Sequence, residues 1–165
     1  MDTKICIFCH RSPRTRTLIP VRITLATIRD SAPRNSPLAA LTRDYIERTN
    51  PFIPAEWTPL KTVPDLLALR ARPASVLLLL DSTGRQYGSV EFANLLGSLR
   101  DGGKRSALLA IGPADGWSPA DVKSADHLIS LGPMTLPHQL AAVVLAEQIY
   151  RAATILARHP YHLGH

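Results

Sequence analysis

From residue 21 onward, the apolar positions fall into short strand-like runs separated by longer stretches at helical spacing. Val21-Arg22-Ile23-Thr24-Leu25-Ala26-Thr27 predicts a first strand. A loop over 30–37 with two prolines leads into a helix over 38–48, where Leu38, Leu41, Tyr45 and Ile46 share a face. Pro51, Pro54, Pro59 and Pro64 leave room between 50 and 64 for one short edge strand at most. A short helix is expected over 65–72. Ser75-Val76-Leu77-Leu78-Leu79-Leu80-Asp81 is a continuous apolar run bounded by turn formers, the pattern of a strand buried on both faces. A helix over 89–100 carries Phe92, Leu95, Leu96 and Leu99 on one side and stops at Gly102-Gly103. Leu108-Leu109-Ala110-Ile111 predicts another buried strand. A short helix follows, capped by Ser118 and opened by Pro119. Leu128-Ile129-Ser130-Leu131 is the next strand, and a long apolar helix from His138 to Arg158 closes the fold.

Strands alternating with helices define an α/β domain with a largely parallel sheet, which binds ligands beyond the carboxyl ends of its strands. The loops expected there are 81–84, 112–116 and 132–137. Each contains glycine or proline, so backbone groups can approach a ligand closely. None fits the dinucleotide-binding or P-loop glycine patterns, and no G-x-S-x-G or H-E-x-x-H motif occurs. The closing helix has few polar positions. Glu147, Arg151, Thr154 and Arg158 fall on one stripe, with Glu147 placed to pair with Arg151 four residues on. A sheet would bury one side of this helix. The remaining apolar surface predicts a homodimer interface.

Composition adds a bias toward polyanions: the net charge is +6, favouring a nucleic-acid partner. Aromatic residues make up only 5%, which argues against a stacking platform for single strands. The longest apolar run is far too short to span a bilayer, and no leader is evident, so a cytoplasmic chain is expected. Cys6-Ile7-Phe8-Cys9-His10 spells a c-type haem attachment motif. Attachment takes place after export, and a zinc site needs a second pair of ligands, which two cysteines do not provide. Residues 1–20 are therefore expected to be a disordered or mis-assigned extension outside a single domain over 21–165, with no metal site. A haem-binding electron carrier is the distant alternative.

Three segments carry a specific resemblance. Leu131-Gly132-Pro133-Met134-Thr135-Leu136-Pro137-His138, Leu145-Ala146-Glu147-Gln148-Ile149-Tyr150-Arg151-Ala152 and His159-Pro160-Tyr161-His162 together resemble the RlmH family. These are SPOUT-class N3-methyltransferases of pseudouridine in 23S ribosomal RNA. Leu80-Asp81 and Ala110-Ile111-Gly112-Pro113-Ala114-Asp115-Gly116 fall where that family has its other ligand loops. The resemblance implies a sheet tied at its carboxyl end in a deep trefoil knot, a homodimer whose active site combines both subunits, and S-adenosylmethionine as methyl donor. It places the cofactor against Leu80, Gly112, Leu131, Gly132, Pro133, Met134, Thr135 and Leu136, with Leu80, Met134 and Leu136 packing its rings.

The same resemblance offers His138 and His162 as base or substrate-orienting groups, Arg151 and Arg158 as phosphate contacts, and Tyr161 as a base-stacking ring. Each has a structural alternative: local backbone bonding for His138, the Glu147 pair for Arg151, and interface packing for Tyr161. Two departures bear on activity. Pro113 stands where the family usually has a second glycine, removing a backbone donor. The region between the second strand and Val76 is also shorter and less basic than the family norm. The alternative function is a knotted dimer that binds ribosomal RNA without catalysis.

Overall fold

A computed structural model describes residues 21–29 and 35–163. The expected extension over 1–20, with Cys6, Cys9 and His10, lies outside the described residues. Five parallel strands form one sheet: β1 (Arg22–Ile28), β2 (Ala55–Leu60), β3 (Ser75–Gln86), β4 (Ser106–Ile111) and β5 (His127–Ser130), in the order β2-β1-β4-β3-β5. β2 includes Pro59, which an edge strand tolerates because its missing N–H would face solvent. The helices are α1 (Pro37–Thr49), α2 (Val63–Arg70), α3 (Ser89–Asp101), α4 (Pro119–Ser124) and α5 (His138–Leu156), followed by a 3₁₀ turn at Pro160–His162.

The continuous apolar run in β3 is explained by burial on both faces. Leu77 and Leu79 join Ala26, Ile28, Leu108 and Ala110 under Leu66 of α2. Val76 and Leu78 face the larger core, shared with Ile23, Leu25, Leu109, Phe92, Leu96, Leu145 and Ile149. Local sequence sets the helix ends. Thr62 with Asp65, and Ser118 with Asp121, form reciprocal capping boxes that start α2 and α4. The α2 start therefore lies at Val63, before Pro64, because a proline in the first helical turn loses no intrahelical bond. At the end of α3, Gly103 (φ 77°) donates to Arg100 O and Lys104 to Leu99 O, the paired bonds of a Schellman stop.

Two expectations are corrected by the packing. β3 does not end at Asp81 but continues to Gln86, and β5 pairs with it on both sides of an excursion: Leu80 and Arg85 both stand opposite Ile129. A Cβ on Gly84, within that excursion, would lie 2.6–2.7 Å from the carbonyl carbon, nitrogen and oxygen of Ile129, so only glycine fits. Secondly, α5 packs against α1, α3 and the sheet within its own chain, burying Val143, Leu145, Ile149 and Tyr150. Its apolar character therefore does not by itself require a second subunit.

The expected polar stripe also breaks up. Thr154 is fully buried and donates its hydroxyl to Arg151 O. Arg158 lies beyond the helix end, at φ 55°, where Arg158 N bonds Ile155 O and His159 N bonds Thr154 O. This is another Schellman stop, here with arginine at the position that favours glycine. No helix among the described residues is long and apolar enough to cross a membrane.

Candidate active site

At the carboxyl ends of β3, β4 and β5, three loops enclose a cleft of about 460 Å³. Leu80, Asp81 and Ser82 line it from β3, and Ile111 to Ala114 with Gly116 line it from β4. Ser130 through Leu136 close it from β5, and His138 and Ala141 contribute from the first turn of α5. All eight residues assigned to the cofactor from the resemblance lie on this one surface, although they come from three separate strand ends. They do not all play the expected part in packing: Leu80 and Leu136 sit against the core, whereas Met134 is 81% exposed at the rim.

Trp117, which sequence reasoning passed over, holds two of these loops together. Its indole N–H donates to Leu80 O at 2.9 Å, and its ring lies where a Cβ on Gly112 would fall, at 2.8–3.1 Å. Gly112 is thus required by the close approach of the ring. The available signal was a lone tryptophan directly after a glycine-rich loop. Ser130 performs a similar service in the β5 loop. Its hydroxyl accepts from Gly132 N at 3.1 Å and lies 3.2 Å from Gly132 O, holding Gly132 at φ 123°. Pro113 lines the cleft, and its carbonyl accepts from Gly116 N to close the turn.

His138 opens α5 with both ring nitrogens buried and neither hydrogen-bonded. The expected local backbone partner is not there. A buried imidazole with two unmet groups calls for a ligand or an ordered water at the cleft wall. His162 is not beside it. His162 contacts Arg151, which stands 13 residues or roughly 20 Å along α5 from His138, so one chain does not bring the two histidines together.

The tail instead folds back onto α5. Arg151 donates from Nε (2.9 Å) and Nη2 (2.6 Å) to Glu147 Oε1, and Tyr161 donates its hydroxyl to the same oxygen at 3.1 Å. Gln148 Nε2 donates to the other carboxylate oxygen at 2.7 Å, and Ser89 donates to Gln148 Oε1 at 2.9 Å. The Glu147 and Arg151 side chains are only 17% and 14% exposed, so the pair is well shielded from solvent. The hydrogen bond to Glu147 raises the Arg151 pKa further. The Tyr161 phenol is pushed up to about 12, first by burial and then by the Glu147 charge, and so stays a donor at neutral pH. Its ring packs on Tyr150 (4.7 Å between centroids) and under the Arg151 guanidinium (4.9 Å). Arg151 and Tyr161 are therefore engaged within the chain, whereas Arg158 is exposed with no ion pair among the described residues.

Glycine-bearing loops at the carboxyl ends of parallel strands, building one cleft, are the arrangement at which open α/β sheets bind small molecules. Among the described residues, no three His, Cys, Asp or Glu side chains gather as a metal site. The family model described as predicted SPOUT methyltransferase matches residues 21–162. Ribosomal RNA large subunit methyltransferase H of Koribacter versatilis (strain Ellin345) is 47% identical over 135 residues, covering 80% of this chain and 92% of that protein. The protein of the same name from Sinorhizobium fredii (strain NBRC 101917 / NGR234) is 58% identical over 88 residues, 53% of this chain and 55% of that one. Among solved structures, a probable methylase family protein from Haemophilus influenzae Rd KW20 has the same fold, at TM-score 0.51 and 9% identity, over 89% of this chain and 70% of that one. The chain belongs to the SPOUT methyltransferase family, in the branch of the ribosomal RNA large subunit methyltransferase H proteins.

Proposed function

We propose that this protein methylates N3 of a pseudouridine in 23S ribosomal RNA, with S-adenosylmethionine as donor. One observation carries the reading: loops far apart in sequence, which the resemblance assigned to the cofactor, meet in a single cleft. The residues fit that donor. The cleft has room for it, Gly112 lets the Trp117 ring close over one wall, and the buried, unpartnered His138 provides polar groups at another. The donor supplies an electrophilic methyl group already activated as a sulfonium. The protein's part is alignment and removal of the N3 proton. Leu80, Gly112 and the backbone of Leu131 to Leu136 hold the donor between the three loops. His138 is the proton acceptor we assign, because the residue lines the cleft and neither of its ring nitrogens has a competing hydrogen-bond partner.

The active unit in this reading is a homodimer. His162 and Arg158 follow the far end of α5, so they reach a substrate bound at His138 only when a second chain supplies them. Arg158 then contacts a phosphate, while Arg151 and Tyr161 hold the tail in place. Within each chain the carboxyl end is threaded as a trefoil knot. The double pairing of Ile129 with Leu80 and Arg85, and the tight passage at Gly84, support that threading. The test is methyl transfer to ribosomes and free large subunits from cells lacking this modification, read by mass spectrometry of the rRNA. Methylation at pseudouridine N3 is expected. If both substrates remain unmodified while S-adenosylmethionine binds, the substrate assignment is wrong; if the chain does not bind S-adenosylmethionine at millimolar concentration, it is the RNA-binding dimer without catalysis.

A further inference from the structure

The guanidinium of Arg151 presents two of its nitrogens to Glu147 and leaves Nη1 facing His162 Nδ1 at 3.5 Å. Arginine has donors only, so this contact is a hydrogen bond only if Nδ1 carries no proton. The proton of the neutral ring then sits on Nε2, the nitrogen turned away from Arg151. Glu147 fixes both halves of the arrangement. It orients Arg151 through Oε1, and with the same oxygen it anchors the hydroxyl of Tyr161, the residue next to His162. Its second oxygen is held by Gln148, which is in turn held by Ser89 of α3, so the carboxylate has little freedom to turn.

We propose that Glu147 is a positioning residue that locks His162 as the Nε2–H tautomer, so that the tail offers RNA a hydrogen-bond donor rather than a base. This rests on the functional reading above and narrows one of its groups: deprotonation of N3 falls to His138, and His162 grips an acceptor such as a base carbonyl or phosphate oxygen. Glutamine at 162 would keep a donor near the same place, whereas alanine would not.

The tautomer is read directly from long-range nitrogen–proton spectra of the full-length protein labelled with ¹⁵N-histidine, with His162→Gln identifying the signal. The expected result is an unprotonated Nδ1 and a protonated Nε2 in the wild type, relaxing to a mixture in Glu147→Gln. In ribosome methylation assays, His162→Ala is expected to lower kcat/KM about tenfold, and His162→Gln to recover most of that loss. Glu147→Gln should raise the ribosome KM while the affinity for S-adenosylmethionine stays unchanged. A protonated Nδ1 in the wild type, a tautomer unaffected by Glu147→Gln, or a His162→Gln enzyme as poor as His162→Ala would overturn the proposal. A wild-type protein that transfers no methyl group defeats the functional reading instead, and the spectra still decide whether Glu147 sets the tautomer.

Discussion

Replacing Gly84 with alanine tests the tightest backbone contact next to the cleft. The new methyl group would lie 2.6–2.7 Å from three backbone atoms of Ile129, and backbone cannot rotate aside as a side chain can. Ordinary contact begins near 3.4 Å, so β5 or the excursion of β3 must shift by about 0.8 Å. Overpacking of this kind costs about 1–3 kcal/mol. For a domain of this size that corresponds to a loss of roughly 3–9 °C in Tm. The strand that must move continues directly into Ser130, whose hydroxyl holds Gly132, so the displacement reaches the cleft wall. Affinity for S-adenosylmethionine should fall about tenfold, equivalent to about 1.4 kcal/mol. Scanning calorimetry measures the first effect and titration calorimetry the second. Gly103→Ala is the control: its φ of 77° makes alanine strained there, but no atom lies within 4 Å of the added methyl group. It should lose Tm without losing affinity. A Gly84→Ala protein with wild-type Tm and affinity would refute the argument that this crossing is sterically full.

Other changes follow from the same geometry. Gly112→Ala forces the Trp117 ring away from Leu80, so donor affinity should drop about tenfold and Tm should fall with the lost Trp117–Leu80 bond, both measured by calorimetry. Trp117→Phe keeps the ring but leaves the Leu80 carbonyl without its partner, costing about 1 kcal/mol in urea denaturation. Arg158→Gly should stabilise the protein by about 1 kcal/mol by relieving the left-handed backbone. The same change should weaken ribosome binding and lower the slope of its salt dependence by close to one phosphate contact. Tyr161 gives a pH signature. Its folded pKa, about 12, lies above the ordinary 10.0, so its contribution to stability is complete below pH 10 and is lost as pH rises through 12. Tyr161→Phe should flatten the fall of Tm across that alkaline window.

Much of this molecule was legible because local rules and tertiary packing agree. The run Val76-Leu77-Leu78-Leu79-Leu80 reads as a doubly buried strand, and it is one, because each face of the sheet carries its own helical layer. The caps at Ser118 and Gly103 act between residues a few positions apart, so they are visible in the letters alone. The family resemblance marked the cleft loops through the order of their residues. It did not reveal Trp117, whose partner Leu80 is 37 residues away.

What the chain alone determined, then, is the alternation of strands and helices and the local caps and stops that bound several of them, since each depends on neighbours in sequence. Tertiary structure decided the rest. It covered α5 with α1 and α3, passed β5 so close to Gly84 that no side chain fits, seated His162 against Arg151 rather than beside His138, and folded Tyr161 back onto Glu147. Those outcomes turn on contacts between residues remote in the sequence. Their energies depend on distance and burial, and neither quantity exists until the chain has closed on itself.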